Sequence, residues 1–455
     1  MTGPDAKTGP DAMTGPRAGA GSFGWLSIVR VGLVQTALGA VVVLTTSTLN
    51  RVMVVELALP ALVPGLLVTL HYAVQALRPR WGHGSDGGRR RTPWIVGGMA
   101  ALCSGGALAA LATAIMGASL PLGIALGVLG FLLIGIGVGA AGTSLLTLLA
   151  ERTDPARRAP AATIVWTMMI FGFALTATLA GHALDPFTPQ RLVAVTSVVS
   201  LCAFALACLA VRGLEPTAAA PAPESQRKIA FREAFAQVWT EPSTRRFAYF
   251  IFVSMLAYNA QDLILEPFAG VVFAMTPGES TRLGGLQHGG VLAGMILAAV
   301  AGALAGPRET QMLRRLMIWG CVASGLAMAG VAAGGFVGPA WPIKPAVFAL
   351  GVANGAFSIA AIGAMMAMAR SGHPGREGVR MGLWGAAQAI AFALGGLLGA
   401  LGVDVARALI GAAAPAYGVV FLCEAALFLV AAALAALVAR KAPIPHFTQT
   451  LEGAR

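Results

Sequence analysis

A succession of apolar runs, each long enough to cross a bilayer as a helix, constrains this chain more than any other feature of its sequence. The runs lie at approximately 33–58, 61–78, 93–117, 121–149, 161–183 and 190–212, then at 246–273, 282–306, 313–336, 343–369, 381–403 and 412–439. A hydrocarbon core about 30 Å thick takes about 20 such residues in a helix. Only 11% of the 455 residues are charged, against roughly 25% in soluble domains, so a soluble fold would lack a polar surface. The chain reads as an all-α integral membrane protein with twelve transmembrane helices in two pseudo-symmetric six-helix halves. Its 58 glycines suit close backbone approach between such helices.

A net charge of +12 could mean nucleic acid, but the basic residues sit in short clusters between apolar runs. That pattern orients a membrane protein, and no nucleic-acid partner is expected. With segments assigned alternately to the two sides, one side receives only Arg191, Arg282, Lys344 and Arg407. The other receives Arg78, Arg80, Arg89, Arg90 and Arg91, then Arg152, Arg157 and Arg158, then Arg308, Arg314 and Arg315. Positive charge stays inside, which predicts both termini in the cytoplasm. The expected organisation is a disordered tail at 1–29, a first half at 30–212, a cytoplasmic linker at 213–245, a second half at 246–440 and a tail at 441–455. The first tail repeats a Thr-Gly-Pro unit at Thr2, Thr8 and Thr14, a low-complexity pattern. The linker contains an amphipathic stretch, with Phe231, Phe235, Val238 and Trp239 opposite Arg232, Glu233 and Gln237, expected to lie on the membrane surface. Cys103, Cys202, Cys208, Cys321 and Cys423 fall inside apolar runs without metal-ligand spacing, and read as packing residues.

Between the second and third runs stands Gly82-His-Gly-Ser-Asp86-Gly-Gly88-Arg-Arg90-Arg91. It resembles the major facilitator signature Gly-x-x-x-Asp-Arg-x-Gly-Arg-Arg, at the same ordinal loop. Gly87 replaces the expected Arg, and Gly88 stands one place early. An ordinary positive-inside loop is the alternative.

Polar residues inside the runs single out two helices. The first run holds Asn50, Arg51 and Glu56, and the seventh holds Asn259, Gln261, Asp262 and Glu266. A central intramembrane Arg costs about 2.5–3.5 kcal/mol on insertion scales, so Arg51 requires a partner: Glu56, Asp262 or Glu266. Arg51 and Glu56 have the same spacing as Gln261 and Glu266, as two repeats of one ancestor would. Glu56 and Glu266 could instead snorkel from helix ends, which suits the short Asp262 poorly. Three histidines also lie in apolar runs: His71 near Tyr72 and Gln75, His182, and His288 beside Gln287 in Gly284-Gly-Leu-Gln-His-Gly-Gly290. Flanking glycines would clear space around the His288 imidazole for a large flat ligand; a hydrogen-bonded packing role is the alternative. No phosphate loop, catalytic triad or HExxH motif is visible, and the expectation is that the chain is not an enzyme. The fifth run lacks the Gly-Pro pattern of proton-coupled drug antiporters.

Asn50-Arg-Val-Met-Val-Val-Glu56-Leu57 and Gln261-Asp-Leu-Ile-Leu-Glu266-Pro-Phe268 resemble the PucC/LhaA family. So do Gly284 to Gly290, Ala386-Ala-Gln-Ala-Ile-Ala-Phe392 and Cys423-Glu-Ala-Ala-Leu-Phe428, and the resemblance runs over about 30–440. It implies a major-facilitator branch of photosynthetic bacteria that assembles light-harvesting complexes in the intracytoplasmic membrane. It further implies bacteriochlorophyll as the group bound, with antenna α/β polypeptides, pigment-synthesis enzymes and membrane lipids as partners. A chlorin magnesium accepts a hard oxygen or an imidazole nitrogen. His288 and Gln287 could serve it, with Gln261, Asp262 and Glu266, Asn50, Arg51 and Glu56, and His71 as further contacts. A secondary transporter of a small solute, using Arg51, Asp262 and Glu266, remains the alternative.

Overall fold

The computed structural model describes residues 22–75, 90–154, 157–215, 239–371 and 377–441. They form α1 (Trp25–Glu56), α2 (Leu62–Gln75), α3 (Thr92–Met116), α4 (Leu120–Arg152), α5 (Arg158–Leu184) and α6 (Pro189–Val211). The second half holds α7 (Pro242–Phe273), α8 (Pro277–Leu304), α9 (Glu309–Val337), α10 (Ile343–Ser371), α11 (Glu377–Ile410) and α12 (Ala413–Lys441). Eleven are long and apolar enough to cross a membrane, and α2 is a shorter apolar helix. Their outward faces carry Leu201, Leu209, Leu297 and Trp319, all strongly exposed. Such a surface is stable against lipid and not against water.

Helix starts follow local chemistry. Proline stands in the first turn of α3, α4, α6, α7 and α8, where its missing N–H costs nothing. Helix α8 adds a capping box between Thr276 and Glu279. Helix α1 begins at Trp25, earlier than hydropathy alone indicates, because neighbouring helices hold its polar first turns. The Phe23 amide donates to the Arg152 carbonyl at 2.6 Å. Arg30 donates to the Ala210 carbonyl at 3.1 Å and to the Arg212 carbonyl. The guanidinium of Arg157 stacks over the Trp25 ring at 5.6 Å.

Each half has its own apolar core, and the halves meet where α5 lies on α8 and α2 lies on α11. Close helix pairs rest on glycine. Gly290 and Gly294 of α8 face Gly351 and Gly355 of α10; a Cβ on Gly294 would fall 2.0 Å from the Val352 oxygen, and one on Gly355 2.0 Å from the Val291 oxygen. Gly135 likewise seats α4 on the His71 carbonyl, and Gly395 seats α11 on the Leu256 carbonyl. Without a hydrophobic drive between helices in lipid, such backbone contact is what holds pairs together.

Among the described residues the basic clusters, with Arg91, Arg152 and Arg157, gather at one end of the bundle, and each half ties that end with an Arg–Glu clamp. Arg91 engages Glu151 through two nitrogens at 2.6 and 2.9 Å. Arg380, almost fully buried, engages Glu241 in the same forked manner at 2.6 and 2.8 Å. Residues 82–89 of the signature-like loop, and the amphipathic stretch of the linker up to 238, lie outside the described residues.

Glu215 closes the start of α3: it accepts from the Arg91 amide at 2.9 Å and from the Thr92 amide and hydroxyl at 2.7 and 2.6 Å. Burial raises the affinity of Glu215 for a proton, but the Thr92 hydroxyl, the two amides and the Arg90 charge outweigh it and hold the carboxyl below its ordinary value. A depressed carboxyl stabilises the fold above its unfolded value and loses that contribution as pH falls through the folded one. Glu215→Gln therefore lowers stability at neutral pH and flattens its fall below about pH 4.5, measured by thermal melting of the detergent-solubilised protein across acid buffers. An unchanged acid limb would remove Glu215 from the capping role.

Candidate functional site at the meeting of the halves

The site is built first by an irregularity of α1. Two π-helical turns, Leu44–Thr48 and Val52–Glu56, flank Leu49–Arg51, and such turns often mark functional sites. Thr45 and Thr46 bond back to the Val41 and Val42 carbonyls. Across the junction, Ser47 donates to Glu266 at 2.6 Å and Thr281 of α8 donates to its other oxygen at 3.3 Å. Thr48 and Thr281 share a hydrogen bond at 3.1 Å. Pro267 lies inside α7 and cannot donate to the carbonyl four residues earlier. That carbonyl, Leu263, accepts from the Asn50 amide of α1, so the first half repairs a break in the second.

A cavity of about 50 Å³ is lined by Ser47, Tyr72, Phe173, Asn259, Asp262, Glu266, Gln287 and His288, among apolar neighbours such as Val42, Val68 and Leu265. Tyr72 donates to Asn259 at 3.3 Å, and Asn259 donates to the Phe392 carbonyl at 2.7 Å. Gln287 lies beside Asp262. His288 bonds the Gly284 carbonyl through Nδ1 at 2.8 Å and meets the Phe173 ring edge-on at 5.0 Å. A carbonyl only accepts, so Nδ1 carries the proton and Nε2 of the neutral ring keeps its lone pair.

Arg51 is 2% exposed and pairs with Glu56, whose side chain is 36% exposed. Its second terminal nitrogen donates to the Met275 carbonyl at 2.6 Å, and its charge also acts on Glu266. Gly270 makes room for it, since a Cβ there would lie 3.0 Å from the guanidinium. Further contacts join the halves at this end, away from the basic clusters. Arg282 reaches Asp185 at 3.0 Å, Thr276 donates to Asp185 at 2.8 Å, and Asp404 accepts from the Ala61 and Leu62 amides at 3.1 and 2.8 Å.

The structure thus divides the sequence candidates. Asp262, Glu266, Gln287 and His288 line one cavity, while Asn50, Arg51 and Glu56 brace its α1 wall and one end. Gln261 is fully buried beside Asp262 and is not a lining residue. His71 bonds Gln75 at 3.0 Å and meets the Tyr72 ring edge-on at 4.7 Å, and is not a lining residue. Sequence reasoning missed Ser47, Thr281 and Phe173; the Thr-Thr-Ser-Thr run at 45–48 was the available signal. The glycines around His288 do not open a cleft as expected. Gly285 seats Thr178 and Gly290 seats the Phe348 carbonyl, because helices pack there; Gly289 faces open space. The His288 lone pair suits magnesium, but the cavity is far below the roughly 300–1,000 Å³ of ordinary ligand pockets. A chlorin does not fit it in this state.

A family model described as PUCC protein matches residues 48–442. The chain belongs to the PucC family. A relative in Rhodobacter capsulatus named bacteriochlorophyll synthase 44.5 kDa chain is 51% identical, over 91% of this chain and 95% of its own. Protein PucC of Cereibacter sphaeroides is 30% identical over 80% of each chain. Among solved structures, a bacterial homologue of the lysosomal transporter Spinster aligns with a TM-score of 0.66 at 15% identity, covering 91% of this PucC-family chain and 96% of its own. That likeness shows the fold, a major facilitator bundle. The expectation that the chain is not an enzyme is overturned by the relative that bears a synthase name. Phosphate loops and HExxH motifs mark particular catalytic sites, and their absence does not exclude other kinds.

Proposed function

We propose that this protein handles bacteriochlorophyll in the photosynthetic membrane, taking it from the synthesis enzymes it works beside and delivering it to antenna α/β polypeptides. Both termini are then cytoplasmic, facing the side that the basic clusters mark. The observation that carries the reading is the 51% identity, along nearly the whole of both chains, to the relative named bacteriochlorophyll synthase 44.5 kDa chain. Likeness of that extent supports a shared cargo and shared company among the synthesis enzymes. The resemblance to the PucC/LhaA family supplies the antenna polypeptides as recipients.

The expected result is that the protein, gently solubilised from a pigment-making host, carries a bacteriochlorophyll absorption band and antenna polypeptides. Its deletion lowers antenna assembly. His288→Leu keeps the wild-type pigment complement, because the central cavity has no room for the macrocycle; loss of pigment in that variant would return the pigment to His288. Absence of both pigment and antenna polypeptides from the wild type would sink the proposal. The small cavity, with the carboxyls of Asp262 and Glu266 in its wall, favours a second reading, carriage of a small solute or ion between Arg51, Asp262 and Glu266. Uptake of solute into proteoliposomes, abolished by Asp262→Asn, would support that reading instead.

A further inference from the structure

A polar layer inside the second half has no part in the site described above. Glu424 of α12 is 3% exposed, and neither of its carboxylate oxygens has a hydrogen-bond partner among the described residues. Gln261 of α7 and Asn354 of α10 are fully buried, with amide oxygen and nitrogen both unpartnered. Ser324 of α9 is also fully buried with an unpartnered hydroxyl. Buried polar groups are nearly always satisfied, and exceptions call for an explanation such as an ion or water.

Aromatic contacts fix the height of these four groups. On one side Phe421 of α12 meets Phe268 of α7 at 5.1 Å. On the other, Phe428 of α12 meets Phe357 of α10 at 6.0 Å, and Phe357 meets Tyr258 of α7 at 6.4 Å. Glu424 lies between Phe421 and Phe428 on one helix face, and Gln261 lies between Tyr258 and Phe268. Gly320 of α9 abuts Phe357; because α9 and α10 run antiparallel, one turn brings Ser324 level with Asn354. Gly325 rests on the Ala425 carbonyl, next to Glu424. Four helices therefore bring four unpartnered polar groups into one layer, closed above and below by rings.

The layer holds a carboxyl on which no basic residue acts among the described residues. Glu266 has the Arg51 charge and two hydroxyl donors, whereas the charged group acting on Glu424 is another carboxyl, Asp262. The titratable groups facing the layer are Tyr258 and Asp262 on α7 and Cys321 on α9; α10 brings only the neutral amide of Asn354. Helix α11 brings Asp404 and Arg407 only toward Tyr417 of α12, nearer the other end. No group of three acidic, histidine or cysteine side chains suited to a metal occurs among the described residues, which disfavours a multivalent ion.

We propose that this layer binds one small monovalent cation, a proton or an alkali ion, on Glu424 with the oxygens of Asn354, Gln261 and Ser324, and that Asp262 links it to the central cavity. Hard oxygen donors with a single formal charge match a hard, singly charged guest. Asp262 lines the cavity and acts on Glu424; two nearby carboxyls oppose each other's ionisation, so a cation held on Glu424 eases a negative Asp262. Occupancy of one site thereby sets the charge presented at the other.

The full chain, purified in detergent, is treated with dicyclohexylcarbodiimide, which attacks protonated carboxyls in apolar surroundings, and the adduct is located by mass spectrometry. Labelling at Glu424 that sodium chloride leaves unchanged assigns the proton; labelling that sodium chloride, but not choline chloride, suppresses assigns the alkali ion. In parallel, the infrared band of a buried protonated carboxyl and the sodium-dependent shift in melting temperature are compared between wild type and Glu424→Gln. Loss of either signal in the variant supports the site. Should Glu424→Gln fail to fold, Asn354→Ala and Ser324→Ala are read in the same way. If the wild type shows no Glu424 label, no protonated-carboxyl band at any pH and no sodium-dependent shift, the proposal is overturned.

Discussion

Gly355→Val will separate α8 from α10 and remove most of the folded protein from a detergent extract. The added side chain begins 2.0 Å from the Val291 carbonyl oxygen and 2.8 Å from its carbon. Both are backbone atoms of a neighbouring helix, which cannot move aside as a flexible side chain would. Overpacking of a tight interior costs about 1–3 kcal/mol and sometimes more, and here the strain falls on the backbone contact that holds the pair. The effect reaches the cavity, because Gln287 and His288 sit on α8 within the same contact, where Gly351 lies 2.2 Å from the Gln287 oxygen for an added Cβ. Gly330→Val is the control, since nothing lies within 4 Å of a Cβ there. Thermal loss of monodispersity, followed by size-exclusion chromatography, should shift strongly for the first variant and little for the second. Equal shifts would show that glycine matters here for helix flexibility and not for helix approach.

Arg51→Met is expected to destabilise the protein more than Glu56→Gln, and the two losses should not add. Arg51 is buried and serves Glu56, the Met275 carbonyl and the charge of Glu266 together. Its removal strands Glu266, which is 2% exposed, while the half-exposed Glu56 turns to water. Breaking one partner of a buried pair costs about 3–5 kcal/mol, and the Glu56 contact falls below that range because water screens it. Arg51→Met with Glu266→Gln should recover part of the loss, since no charge is then left uncompensated. Double-mutant cycles on melting temperature should give coupling of about 0.5–3 kcal/mol for each pair. Simple additivity in both cycles would mean that Arg51 is held by the Met275 carbonyl alone.

The two expected results differ in how far the sequence foresaw them. An uncompensated Arg in the first apolar run demanded a partner on grounds of transfer energy alone, whatever the fold. Which partner it takes follows from the π-helical turns of α1, whose altered register sends Arg51 toward Glu56 and Met275 and leaves Ser47 to bond Glu266. Asn50 was visible as a polar intramembrane residue, and Pro267 as a helix breaker. That one repairs the other required knowing that α1 and α7 lie side by side at matching heights. Glu424 stands within an apolar run as one residue of a family-like stretch, and nothing in the spacing of Asn354 and Ser324 marks them.

The sequence by itself determined the membrane-spanning class, the number of long apolar segments, the side that carries the basic residues and the family. These are sums over local composition or matches along the chain, and they hold in any arrangement of the helices. Only the tertiary structure decided the small volume of the central cavity, the backbone contact of α8 on α10, the Ser47–Glu266–Thr281 bridge and the polar layer around Glu424. Each depends on the rotation and height of one helix against another, and a change of one residue in register would turn those side chains to a different neighbour.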